Sequence, residues 1–215
     1  MKYLITALLL VGFIVLTSCG EKMKEMQQTM DILKKAPEAA QNMANDTKAA
    51  EQKRAERVKK GDTLAMPYQQ LQKYLPESIG GYTAQEPKGS TTNMTGFSVS
   101  EVSRRFVQSG ANGNENYVDI ELTDYNQAEQ LYAGMTAVWS LGISVESNEK
   151  SEKTFKPDYP NSIGFESYDK VNKHATLNIG IGWRFFVKIE ANNQSSCDFI
   201  KGIANSMKLK DLSTI

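Results

Sequence analysis

Between Gly20 and Asp62 the chain holds no aromatic residue, and beyond Asp62 come both tryptophans and every tyrosine and phenylalanine except Tyr3 and Phe13. Large apolar and aromatic side chains dominate packed cores, so this border divides the chain into an appendage and a domain. The appendage is rich in Lys, Glu, Gln, Ala and Met. Met23, Met26, Met30 and Leu33 recur at three- and four-residue spacing, a narrow apolar stripe on a helix. Pro37 interrupts that stripe, and Pro37-Glu38-Ala39-Ala40 reads as a restart, because Pro is tolerated in a first helical turn. Met43, Ala44, Thr47 and Ala50 continue a weaker stripe. Lys48, Lys53, Arg54, Arg57, Lys59 and Lys60 then oppose only Glu51 and Glu56, and Gly61-Asp62 closes the segment. Residues 19–62 are therefore expected to form a partly helical tether. Two uses stay open for it: a solvated spacer, or a coiled-coil or partner-binding helix using the methionine stripe. The clean stripe covers about two heptads, fewer than the three or four that mark a coiled coil. The basic end suits either an anionic surface or plain solvation.

The N-terminus sets the address. Lys2 precedes the apolar run from Leu4 to Val15, and the run ends in Leu16-Thr17-Ser18-Cys19-Gly20. A basic residue, a short apolar stretch and small residues describe a cleaved signal peptide over 1–18. The run is shorter than the roughly 20 residues that span a bilayer as a helix. The quartet Leu16-Thr17-Ser18-Cys19 resembles the lipobox of bacterial lipoproteins. That resemblance implies cleavage before Cys19 and lipidation of its sulfur by a diacylglycerol thioether, often with an N-linked acyl chain of the palmitate kind. Two or more chains hold a protein to a membrane where one does so only marginally. Gly20 is not the Asp associated with inner-membrane retention in enteric bacteria, so the outer membrane is the expected location. Whether the domain faces the periplasm or the cell surface stays open.

The 25 basic residues balance 25 acidic ones, without the clustered basic face that nucleic acid would require. Of the two cysteines, lipidation of Cys19 would leave only Cys197, so the fold gains no intramolecular disulfide from an oxidising compartment. It must stand on its hydrophobic core.

Residues 63–215 carry the periodicities of such a core. Pro67 to Leu75 reads as a short helix with Leu64, Tyr68, Leu71 and Leu75 on one side, ended by Pro76. Phe97-Ser98-Val99-Ser100 and Arg104-Arg105-Phe106-Val107 are extended. Val99 and Val102 fall out of phase, which suggests a bulge near Glu101. Gly110–Asn114 is a loop. Val118, Ile120 and Leu122 alternate with Asp119, Glu121 and Thr123, the clearest half-buried strand in the chain. Asp124 suits the N-cap of a helix from about Asn126 to Ser140, with Ala128, Leu131, Tyr132, Met135, Val138 and Trp139 inward. Ile143 to Asn161 is polar, with room for one short strand. Gly164–Lys170 is a further strand, and the alternating residues 176–181 begin a hairpin whose turn is Gly182-Trp183. Ser195 or Ser196 caps a last helix with Phe199, Ile200, Ile203, Ala204 and Met207 as its stripe.

Hairpin-length links imply antiparallel pairing, so the expected class is α+β: an antiparallel sheet packed against helices. Leu75-Pro76, Gly81-Tyr82, Tyr168-Asp169-Lys170 and Gly182-Trp183-Arg184-Phe185 together resemble a pattern of uncharacterised bacterial envelope proteins. In outline the domain is similar to the PsbP-like α-β sandwich. Neither resemblance implies an activity or functional residues.

The chain is poor in chemistry. His174 is the only histidine, and with no second His and no Cys beside it in sequence it anchors no usual transition-metal site. It reads as a residue of a surface turn. Cys197 opens a helix, where the dipole would lower its pKa and make a reactive thiol, but the favoured reading is a buried small hydrophobe. Asp119, Glu121 and Asp124 form an acidic line suited to a carboxylate pair or to calcium, without EF-hand spacing. A solvated strand face accounts for them as well, with Arg104 or Arg105 as cross-strand partners. No phosphate-binding glycine motif and no G-x-S-x-G elbow occurs. Tyr159, Tyr168 and Trp183 are candidates for an exposed binding patch. The expectation is therefore a non-enzymatic lipoprotein without cofactor or metal. It would bind or scaffold another envelope component, anchored through Cys19, with no nucleic-acid partner. Two alternatives remain. A carrier or sensor of a small apolar ligand needs a cavity of roughly several hundred Å³ under the Leu131/Met135/Trp139 face. An unrecognised hydrolase needs His174 or Cys197 beside an acid, or a carboxylate pair from the acidic line.

Overall fold

The computed structural model describes Pro37, Gln41, residues 44–110 and residues 115–215. The signal segment 1–18, Cys19 with its lipobox, the stripe from Met23 to Leu33, and residues 111–114 of the Gly110–Asn114 loop lie outside the described residues.

The domain is α+β, built on one antiparallel nine-stranded sheet. Strand β1 (Thr83–Ala84) and β2 (Lys88–Met94) both pair with the same edge of β3 (Phe97–Ser109), and β3 pairs with β4 (Glu115–Asp124). The chain then crosses through α3 (Glu129–Thr136) and a 3₁₀ turn (Ala137–Leu141) to the opposite edge. From there β5 (Ser144–Glu146), β6 (Lys150–Phe155), β7 (Ser162–Asp169), β8 (His174–Ile181) and β9 (Phe185–Ala191) run back as a meander. The last strand closes against β4, giving the order β1/β2, β3, β4, β9, β8, β7, β6, β5. Helices α4 (Asp198–Ser206) and α5 (Leu209–Leu212) follow. Before the sheet stand α1 (residues 44–59) and α2 (Tyr68–Leu71), the latter continued by a 3₁₀ turn to Tyr74.

Alternation along the central strands produces two unlike faces. On one, Val118, Ile120 and Leu122 of β4 meet Ala191, Ile189 and Val187 of β9, which meet Ala175, Leu177 and Ile179 of β8. All nine are buried. Leu71, Leu75, Ile200, Ile203, Leu209 and Leu212 cover them and complete a single core. On the other face α3 and its 3₁₀ turn cover only part of the sheet. Trp139 stacks on Phe165 and Phe186 at centroid distances of 5.9 and 5.8 Å. The rest of that face is polar, with Asp119, Glu121, Lys188 and Glu190 in cross-strand register.

Several expectations change. There is no bulge at Glu101: Val99 to Ser103 pair in unbroken register with β2 and Ser100 to Ser109 with β4, and Val99 simply lies on the opposite face from Val102. Two strands, β5 and β6, occupy the polar stretch where one was expected. The polar β2 carried no apolar alternation to reveal it, since it is an edge strand with no core face to fill. The helix after β4 starts at Glu129, three residues later than expected, and Ala128, Tyr132, Thr136 and Trp139 turn inward. Leu131 and Val138 stay about half exposed. The Gly182-Trp183 turn holds as read: Arg184 N–H donates to Ile181 O at 3.1 Å, and both central residues have positive φ, 61° and 54°. That is the primed turn whose twist matches a hairpin.

Candidate functional site

The tether does not end where composition placed its border. Gly61 (φ 80°) closes α1 in a left-handed turn, with Asp62 N–H donating to Arg57 O at 2.9 Å and Gly61 N–H to Val58 O at 3.0 Å. This pairing satisfies the last helical carbonyls and aims the chain back at the sheet. Arg57 then becomes one of the few buried charged residues, its Nε donating to Asn126 Oδ1 at 3.0 Å. Arg54 Nη1 reaches Glu129 Oε1 at 2.9 Å. The solvated-spacer reading therefore fails for the end of the segment: Arg57 and Asp62 belong to the packed unit, and contacts with it begin before residue 63.

The knot that receives them lies where β4 ends. Asp124, expected as an N-cap, is fully buried instead. It accepts Arg184 Nε and Nη2, both at 2.8 Å, together with Met66 N–H at 2.7 Å and Asn126 N–H at 3.0 Å. Arg184 Nη1 also donates to Asp62 Oδ2 at 2.7 Å. Asn126 Nδ2 donates to Asp62 Oδ1 at 3.0 Å and to Leu64 O at 2.8 Å. Burial works against the Arg184 charge, and hydrogen bonds and attraction from Asp124 and Asp62 outweigh it, so its pKa stands above the ordinary value. Burial and the neighbouring Arg184 charge push Arg57 below its ordinary value, against the pull of Asp62, Asp124 and Glu129. Every bidentate and backbone bond here is the satisfaction a buried ion pair demands.

Held this way, α1 stands across the partly covered face and leaves a cleft of about 1460 Å³. Tyr132, Thr136, Trp139, Ile143, Ile163 and Trp183 line the sheet side; Ala50, Ala55 and Val58 line the α1 side. Its charged lining includes Asp46, Lys59, Lys153 and Lys156. Burial raises the Asp46 pKa, and Lys156 opposes the rise. Tyr132 sits deepest. Its hydroxyl hydrogen-bonds the Trp183 backbone, and burial pushes its pKa far above the phenolic range, so it remains a neutral group. A Cβ on Gly180 would lie 2.6 Å from that hydroxyl and 2.9 Å from Thr136 Cγ2, so only glycine lets α3 approach the sheet this closely.

The residues singled out for chemistry do not converge. Asp119 and Glu121 share the open face of β4, and Asp124 points to the other face. The expectation that all three are solvated is thus corrected for Asp124. Asp119 is taken by Arg105 in a two-point pair at 2.7 and 2.5 Å. Arg104 turns elsewhere, to the backbone oxygens of Gln85 and Pro76. Burial raises the Glu121 pKa, partly offset by Lys188. His174 is the first residue of β8, not a turn residue, and its Nε2 lies 3.7 Å from Glu190 Oε1. Cys197 is buried at the start of α4; burial first, and the Glu166 charge second, push its thiol up to about 11. A helix dipole was expected to lower it, and desolvation wins. Tyr168 donates to Gln194 O at 2.9 Å, and Tyr159 packs against the core, so of the three aromatics read as a patch only Trp183 lines the cleft. Among the described residues no three His, Cys, Asp or Glu side chains gather to hold a metal ion, and no helix is long and apolar enough to cross a membrane.

The cleft was foreseeable only in part. Trp139 was read as inward-facing, but Leu131 and Met135 do not line it, and the α1 wall carried no aromatic signal. No protein-family model, curated protein or solved structure matches the chain.

Proposed function

We propose that this protein is a non-enzymatic binding protein of the cell envelope, held to the membrane by lipid on Cys19, that takes an elongated apolar ligand in the cleft beside α1. The observation that carries this reading is the cleft itself. Its volume of about 1460 Å³ exceeds the roughly 300–1,000 Å³ of compact ligand pockets. Its lining sets the rings of Tyr132, Trp139, Phe155 and Trp183 among charged side chains such as Arg54, Glu129, Lys153 and Lys156, with apolar surface the larger part, a mixture that buries an apolar body and orients a polar group. The charged lining residues suit a polar end group, which favours an amphiphile over a plain hydrocarbon. The hydrolase reading loses support because Asp119 is committed to Arg105 and Asp124 to Arg184. Catalysis by acids needs two carboxyl groups facing one substrate.

The test uses the full chain with cis-parinaric acid, a fluorescent long-chain acid, as probe. Saturable fluorescence enhancement at micromolar concentration is expected, reduced at least tenfold by Ala133→Trp, which fills the cleft from an exposed position on α3. Absence of saturable binding, or binding indifferent to Ala133→Trp, would overturn the ligand reading. Anchoring is tested separately: Cys19→Ser should abolish palmitate labelling and either release the protein or leave it unprocessed. Processed, membrane-bound Cys19→Ser protein would refute the lipoprotein assignment.

A further inference from the structure

The α1 wall of the cleft is held by very little. Its residues from 44 to 59 are exposed apart from Arg57 and the half-buried pair Ala49 and Ala50. Its side-chain links to the domain include Arg57 Nε to Asn126 Oδ1 at 3.0 Å and Arg54 Nη1 to Glu129 Oε1 at 2.9 Å. Asn126 sits on the β4–α3 connection and Glu129 opens α3, so the helix that lines the other wall also anchors this one. The pivot is defined as well. Beyond Gly61, Asp62 is fixed by Arg184 and Asn126, and Met66 by Asp124. A helix joined to a fixed point by one left-handed glycine, and clasped by two side chains, rotates when the clasps open.

We propose that Arg54 and Arg57 are positioning residues that hold α1 across the cleft as a movable wall, hinged at Gly61, which opens to admit and release the ligand. The proposal rests on the reading of the cleft as a ligand site. Arg57 does not line the cleft and acts through the placement of α1, whereas Arg54 both lines the cleft and clasps Glu129, so Arg57→Ala separates the hinge from direct ligand contact. Glu129 strengthens the argument, because its Oε2 is buried without a hydrogen-bond partner while Oε1 takes Arg54. Wetting this oxygen on opening would offset part of the loss of the ion pair.

The experiment compares Arg57→Ala, Arg54→Ala and the double variant with Glu56→Ala. The last breaks only an exposed pair to Lys53 within α1. Stopped-flow mixing with cis-parinaric acid reads the binding rates. A lysine-specific protease with mass-spectrometric mapping reads the release of α1 without any ligand, since Lys48, Lys53 and Lys59 are present in every variant. The clasp variants should raise the dissociation rate at least tenfold, leave the association rate undiminished and speed cleavage after Lys48 and Lys53, with the double variant largest. Glu56→Ala should do neither. A lower binding amplitude with unchanged dissociation would mean that the arginines only support folding, and would overturn the proposal. Unchanged cleavage would overturn it even if the wild type bound no probe. Wild-type binding with unchanged dissociation in the variants would refute the movable wall and leave the ligand site standing.

Discussion

On β9 the residues Phe185, Val187, Ile189 and Ala191 are all fully buried, whereas Phe186, Lys188 and Glu190 between them keep part of their surface in water. The same strand thus serves two faces with different tasks. One face is filled by α2, α4 and α5 until no apolar side chain of the central strands is left in water. The other carries α3, a cleft and a polar remainder. A closely packed layer tolerates little change in volume, and a face left partly open is where the chain can accommodate something other than itself. Stability rests on the first face, and the proposed ligand site lies on the second.

The sharpest way to break that assignment is to truncate adjacent phenylalanines. Phe185→Ala should cost about 3–5 kcal/mol, as removal of a fully buried ring does, and Phe186→Ala clearly less. Urea denaturation measures both, and equal costs would erase the distinction between the faces. Gly180→Ala comes next. Its Cβ would press on the Tyr132 hydroxyl and Thr136, an overpacking worth about 1–3 kcal/mol. It should also weaken probe binding by moving α3, whereas Phe185→Ala should leave the affinity of the folded fraction intact. Cys197 gives a smaller effect confined to alkaline solution. Its thiol is raised from 9.0 to about 11, so the folded state holds the proton more tightly than the unfolded one. Stability is then unaffected below pH 9 and falls as pH rises from 9 through 11. Native protein at pH 8 should react with a thiol reagent far more slowly than protein in urea; equal rates would contradict its burial. The smallest effect belongs to the polar remainder. Arg105→Ala breaks the pair with Asp119 on the open face, and exposed pairs are worth about 0–1 kcal/mol. A larger loss would show that this face is structural after all.

Legibility in the sequence followed burial. Strands β4, β8 and β9 and helix α4 were readable because one face of each is buried almost without exception, and burial writes its period into the residues. The primed turn at Gly182-Trp183 was readable because its geometry is local. Edge strand β2, with no buried residue, left no mark. The inward stripe of α3 was misplaced by part of a turn, because the helix leans on a cleft, and Leu131 on its flank has nothing to press against.

The candidate site was less legible still. Sequence placed Trp139 inward but offered no reason to connect it with Ala50 or Val58, since small residues on a charged helix look like any solvated spacer. The single sequence determined the α+β class and the contrast in composition between tether and domain, which depend on local periodicity and on where aromatic residues fall. Only the tertiary structure decided that Asp124 belongs to Arg184, sixty residues away, that Arg57 is buried, and that α1 and α3 enclose a cleft. Local patterns report whether a residue is buried. Which partner meets it depends on the order of strands in the sheet, and that order is settled by the packing of the whole chain.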